Sequence, residues 1–183
     1  MYVTDKLFNK VLEHADKPTQ FALRLAYLTG QRPADVLKMR TTDISDGYLH
    51  LKQNKTQEKV RVHITGDLKT LLEEIQDYKN SFSIIIMHLL VNDDGKALTT
   101  GTLRGKIRPH KASSRSDKKI FQLRDLRAKA ATDIDDASNI KEAQILLSHT
   151  SPVMTERYVR PRLGRKASPA KQLRNCSAKM DKV

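Results

Sequence analysis

The sequence holds arginines, lysines, histidines and tyrosines, among them Arg32, Lys55, Arg124, Arg127, His149 and Tyr158, whose types could together do chemistry on a phosphate ester. The sequence has no paired-cysteine site, no His-Glu-x-x-His and no glycine-rich phosphate loop, and its six histidines are scattered, so we expect no metal and no cofactor. Any reaction must then come from the side chains themselves. Arginine suits an anionic transition state because its planar fork stays protonated and holds two oxygens at once. In-line attack on a phosphodiester adds negative charge to the nonbridging oxygens, which fixed cations stabilise more than they stabilise the ground state. A phenol, with an ordinary pKa of about 10, needs positioning and a proton acceptor or a strongly positive setting before it attacks. A departing oxygen needs a proton donor, which a lysine on a turn can deliver.

These residues need a scaffold, and the apolar periodicity supplies one. Leu7, Phe8, Val11 and Leu12 predict a helix over Thr4–Ala15, and Phe21, Leu23, Leu25, Ala26 and Leu28 a more buried one over Thr19–Thr29. Gly30 is placed to end it as a C-cap. Pro33 then opens a helix carrying Val36, Leu37 and Met39, with Arg32 at its entrance. The period changes at Tyr48–Lys52 and Lys59–Ile64, which alternate as strands and place Lys55 on the turn between them. A helix over Leu68–Tyr78 follows, and Ile84–Val91 reads as a buried strand or a short helix closed by the turn Asn92–Gly95. Thr99 or Thr100 caps a helix through Ile107, and the Ser-, Lys- and Arg-rich stretch Pro109–Lys119 reads as a mobile loop. Further helices are expected over Leu123–Asp135 and Ile140–Leu147. Ser151-Pro152 signals one more, running to about Val159 and stopped by Pro161.

Four blocks carry a resemblance: Thr29-Gly30-Gln31-Arg32-Pro33-Ala34-Asp35-Val36-Leu37, Gln53-Asn54-Lys55-Thr56, Arg124 to Thr132, and Leu147-Ser148-His149 with Thr155-Glu156-Arg157-Tyr158. Their order, and the nine-residue interval from His149 to Tyr158, resemble the catalytic domain of tyrosine recombinases, above all the phage and prophage integrases. The match spans about Thr4–Val159. The resemblance implies a mainly α domain with a small, three-stranded antiparallel β-sheet (α+β). It implies that Arg32 and Arg127 clamp the scissile phosphate, that Lys55 protonates the 5′-hydroxyl leaving group, and that His149 bonds the phosphate or assists the nucleophile. Tyr158 would form a covalent 3′-phosphotyrosyl link, and Asp35 would orient Arg32 or a neighbour. Many relatives have His-x-x-Arg where this chain has Arg124-Asp125-Leu126-Arg127. Arg124 cannot act as a base, so its expected part is electrostatic, with a base role moved to His149 or water. Each residue also has an ordinary alternative: a solvated arginine, a turn lysine, a histidine capping a helix end, a tyrosine packing its ring on the core.

Charge distribution agrees with a polyanionic partner. The formal net charge is +13, and residues 101–183 hold 20 lysines and arginines against 8 aspartates and glutamates. Each phosphate neutralised by such a surface releases condensed counterions. Lys52, Lys111, Arg115, Lys118, Lys119, Lys129 and Arg157 are the expected DNA-binding residues. The length of 183 residues suits one domain, here about 1–160, with a basic tail over 161–183 that is flexible or packs on a neighbouring protomer. The family carries an amino-terminal core-binding domain that completes a clamp around DNA; because the pattern begins almost at Met1, we expect this chain to lack it. Cys176 is the only cysteine, which suits a reducing compartment, here the cytoplasm of a bacterial host with its nucleoid. The longest apolar run is far short of the roughly 20 residues of a spanning helix, so no membrane is expected. By resemblance the partners are double-stranded DNA, a homo-tetramer on paired sites (a monomer when free) and accessory DNA-bending proteins. The alternatives are a type IB-like topoisomerase, which relaxes DNA without joining two sites, and a non-catalytic basic architectural module.

Overall fold

The computed structural model describes residues 2–82, 86–107 and 122–159. Eight α-helices, a 3-10 turn at Thr41–Asp43 and one small sheet appear among them: α1 (Asp5–His14), α2 (Lys17–Thr29), α3 (Pro33–Val36), β1 (Ile44–Ser45), β2 (Tyr48–Lys52), β3 (Lys59–His63), α4 (Gly66–Asn80), α5 (Thr100–Ile107), α6 (Leu123–Ala137), α7 (Ile140–Leu147) and α8 (Pro152–Glu156). None of these helices is long and apolar enough to cross a membrane.

Helix α2 is the axis of the molecule. It starts two residues earlier than its apolar period suggests, because the Asp16 carboxylate accepts from Thr19 N and Pro18 fits the first turn. Phe21, Ala22, Leu23, Leu25 and Ala26 are all buried, which is the signature of a helix surrounded by others. It packs against α1, α3, α4, α5 and α6. A leucine as deeply buried as Leu23 or Leu25 contributes about 2 kcal/mol by leaving water. Gly30 ends α2 in the left-handed conformation, φ 62°, where a side chain is strained.

The sheet is antiparallel with strand order β1-β2-β3. The register pairs Leu49 with Val62 and Leu51 with Val60, so these four share the face turned to the core, while Tyr48, His50, Lys52, Lys59, Arg61 and His63 share the other. Strand β1, only two residues long, leaves no alternation for a sequence reading to detect.

Three expectations change in detail. Helix α3 stops at Val36, short of Leu37 and Met39. Those two are still buried, but Met39 O accepts from Leu89 N and Thr41 N donates to Met87 O, so pairing with a distant segment draws the chain out of the helix. That segment, residues 86–91, is irregular, with single bridges at Arg40/His88 and Val91/Ala97, in place of a regular strand or helix. Helix α8 ends at Glu156, and Tyr158 sits in the turn beyond it, its backbone N–H donating to Thr155 O. The stretch 109–119 and the tail from residue 160 onward lie outside the described residues.

Candidate active site

Arg32, Arg127, His149 and Tyr158 meet where α2, α3, α6, α7 and α8 converge. Arg127 is the centre. It lies on the α6 face turned towards α7, 2% exposed. One guanidinium nitrogen donates to Gly30 O at 2.7 Å, the other to Leu147 O at 2.5 Å. Those carbonyls close α2 and α7, whose last turns leave C=O groups without helical partners and carry partial negative charge. The fold thus sets a buried cation against two helix ends. Arg127 Nε is buried and unpartnered.

Arg32 is the N-cap of α3, put there by the left-handed turn at Gly30 and by Pro33. Its guanidinium donates to Gln53 Oε1 at 2.6 Å. Gln53, fully buried, donates in turn to Gln31 Oε1 (2.8 Å) and Leu147 O (3.0 Å), and Gln31 donates to Leu146 O (2.9 Å). Arg32 is therefore fastened through two buried glutamines to the same end of α7 that accepts from Arg127. A Cβ at Gly30 would fall 2.9 Å from Leu146 Cδ2, so the glycine serves both the turn and this close approach.

Ser148 adopts the left-handed conformation (φ 52°, ψ 46°) after α7 and turns His149 inward. His149 Nε2 lies 3.2 Å from an Arg127 guanidinium nitrogen and Nδ1 lies 3.1 Å from Thr155 Oγ1. Arginine only donates, so Nε2 accepts and the proton resides on Nδ1, which donates to Thr155. Burial, then Arg127 and Arg32, push the imidazole pKa down to about 4, so His149 is neutral at physiological pH. Burial and the charge of Arg32 likewise lower Arg127 to about 10, against the opposing pull of Tyr158; it stays protonated. The half-buried Tyr158 has its ring centroid 5.1 Å from that of His149, and the Arg127 Cζ lies 5.7 Å from the Tyr158 centroid. The result is a phenol resting on the Arg127 guanidinium with a neutral imidazole beside it.

The family model described as Phage integrase family matches residues 2–164. The chain belongs to the phage integrase family. It is 32% identical over 150 residues to the integrase of Escherichia phage lambda, covering 76% of this chain and 40% of that protein. It is also 32% identical over 157 residues to the integrase of Escherichia phage HK022, covering 79% and 43%. The chain thus spans about two-fifths of these relatives' length. Among solved structures it is similar to a lambda integrase tetramer bound to a Holliday junction (TM-score 0.72, 23% identity, 93% of this chain and 50% of that one). It is also similar to the lambda integrase catalytic core (TM-score 0.65, 22% identity, 81% and 91%) and to the XerA recombinase (0.68, 18%, 87% and 60%). These structures show that the fold of this integrase-family chain is that of the tyrosine recombinase catalytic domain.

The other expected residues fall into three groups. Lys55 lies exposed on the β2–β3 turn. That turn is tied down on both sides of it: Asn54 donates from its backbone N and its Nδ2 to Asp35 Oδ1 (3.1 and 2.8 Å), and Thr56 Oγ1 donates to Gln53 Oε1 (3.0 Å). Asp35, expected from sequence to orient Arg32 or a neighbour, instead holds the lysine turn through its Oδ1; Arg32 donates to Gln53, and the other Asp35 oxygen is buried without a partner. Arg124 is exposed on the first turn of α6, three residues before Arg127 and hence towards the same side. Lys52 and Arg157 are exposed, Arg157 next to Tyr158.

Lys129 is a correction. Its side chain is 1% exposed, pairing with Asp5 and Asp133 (2.7 Å to the latter) between the rings of Tyr2 and Tyr27. Burial works against its charge, but the two carboxylates more than compensate and raise its pKa. It ties α1 to α6 and has no face for DNA. Lys111, Arg115, Lys118 and Lys119 lie outside the described residues.

Sequence reasoning missed Gln31, Gln53 and Thr155, all buried. The two glutamines stood inside the quoted blocks next to Arg32 and Lys55, and that adjacency was their only signal. Among the described residues, no three His, Cys, Asp or Glu side chains gather as metal ligands.

Proposed function

We propose that this chain is the catalytic domain of a site-specific DNA recombinase that cuts and rejoins strands by transesterification. The observation that carries this reading is the Tyr158 phenol resting against Arg127 and His149, with Arg32 close enough to depress both of their pKa values. The free Arg127 Nε and the Arg32 fork supply donors for the nonbridging oxygens of a DNA phosphate. The phosphate takes the place of the phenol ring over Arg127, and the Tyr158 oxygen attacks phosphorus in line. The phenolic proton passes to water, because His149 Nε2 already accepts from Arg127 and its Nδ1 carries the proton donated to Thr155; the imidazole instead holds Arg127 in place. The bond from phosphorus to the 5′ oxygen breaks, and Lys55, on its anchored turn, protonates the departing alkoxide. The 3′-phosphotyrosyl ester conserves the phosphodiester bond energy, so attack by a 5′-hydroxyl reverses the step without ATP. Arg124 adds positive charge at the mouth of the site.

Lambda integrase has been solved as a dimer on a COC′ core site and as a tetramer on a Holliday junction. We propose the same partners here: duplex DNA and three further protomers on paired sites, in the cytoplasm of a bacterial host. The test is a nicked duplex that traps the covalent intermediate. The wild-type chain should form an adduct stable to denaturation, and Tyr158→Phe should form none. Absence of an adduct where duplex binding is demonstrated would defeat the proposal in favour of a non-catalytic architectural module. Relaxation of supercoils without recombinant product would point to topoisomerase activity.

A further inference from the structure

A groove of about 950 Å³ runs beside the site, and five cationic side chains line it, Lys38, Arg40, Lys52, Lys59 and Arg61, against two carboxylates, Asp35 and Asp43. The carboxylates are already engaged: Asp35 Oδ1 accepts from Asn54, and Asp43 Oδ2 accepts from Arg40 N. Among the described residues none of the five cations makes an ion pair. Lys52 and Lys59 are direct cross-strand partners, and Arg61 pairs with His50 one step along. Like charges placed opposite each other on one sheet face repel, so the bare sheet carries a cost that an anion would relieve. Arg61 is also propped in place, its guanidinium 5.5 Å from the Tyr48 centroid and the Tyr48 ring stacked on His63.

Position decides which anion. Gln31 and Asp35 line the groove too; the first is bonded to the glutamine that holds Arg32, the second to the turn that carries Lys55. The groove therefore opens onto the phosphate site and continues it along the sheet. We propose that this basic sheet face and the facing Lys38 and Arg40 form a second track that grips the DNA phosphodiester backbone beside the reacting phosphate. The proposal rests on the recombinase reading for the identity of the polyanion, and the track acts in binding alone.

The experiment is salt-dependent binding of the full chain to an intact duplex, which needs no chemistry and so is independent of whether Tyr158 forms an adduct. Each lost phosphate contact should reduce the slope of log affinity against log salt concentration by about 0.9. Lys59→Gln with Arg61→Gln should therefore lower it by about 1.8, and Lys38→Gln with Arg40→Gln, on the opposite wall, by a similar amount. The charge-conserving pair Lys59→Arg with Arg61→Lys should keep the wild-type slope, which separates charge from folding. Slopes unchanged in both neutralised variants would overturn the proposal, even if the nicked substrate traps an adduct. So would an unchanged DNA slope accompanied by loss of binding to polyglutamate, which would mark the face as a dock for an acidic protein.

Discussion

His149 offers a test of the site that uses no DNA. The imidazole is 7% exposed, and burial with the charges of Arg127 and Arg32 lowers its pKa from 6.5 to about 4. Well above pH 6.5 the ring is neutral in folded and unfolded chains alike and contributes almost nothing to pH dependence. As pH falls from 6.5 towards 4 the unfolded chain takes up a proton that the folded chain refuses, so stability falls with falling pH. With those two values the penalty is about 2 kcal/mol at pH 5 and approaches about 3 kcal/mol below pH 4. Carboxylates also titrate at low pH, so the quantity to read is a difference. Urea unfolding of wild type and of His149→Asn, whose amide can still donate to Thr155, should be compared at pH 7.5 and pH 5. The wild-type chain should lose about 2 kcal/mol more than the variant over that interval. A difference that stays flat, or an imidazole resonance titrating near its ordinary value, would refute the claim that Arg32 and Arg127 crowd this ring, and with it the convergence on which the proposed chemistry depends.

Two further substitutions separate scaffold from surface. Gln53→Leu removes the acceptor for Arg32 and a donor to Leu147 O; the buried groups left unpaired should cost about 1–3 kcal/mol, seen in urea unfolding, and adduct formation on the nicked duplex should fall further than duplex binding does. Lys129→Met should lower stability by about 1–3 kcal/mol through loss of the Asp133 and Asp5 pairs, while leaving the salt dependence of DNA binding at its wild-type slope; a reduced slope would return Lys129 to the DNA interface.

Much of the local structure was legible in the chain itself, because caps and periods are local physics. Gly30 ends α2, Pro33 opens α3, Pro152 opens α8, and β2 and β3 alternate as their residues do. The order of the four blocks was legible too, which is why the family could be named from sequence. What the sequence left undecided is direction. Arg127 and Lys129 sit two positions apart on α6, and at 3.6 residues per turn they point to nearly opposite sides; one meets the ends of α2 and α7, the other the carboxylates beneath α1. Both are buried cations in a helix, and no pattern of polarity marks which of them faces the site. Likewise Asp35 stands three residues from Arg32, yet its bonds go to Asn54 across the β2–β3 turn. Hydrogen-bond partners many residues apart are chosen by how the elements pack, and packing is decided by the whole chain at once.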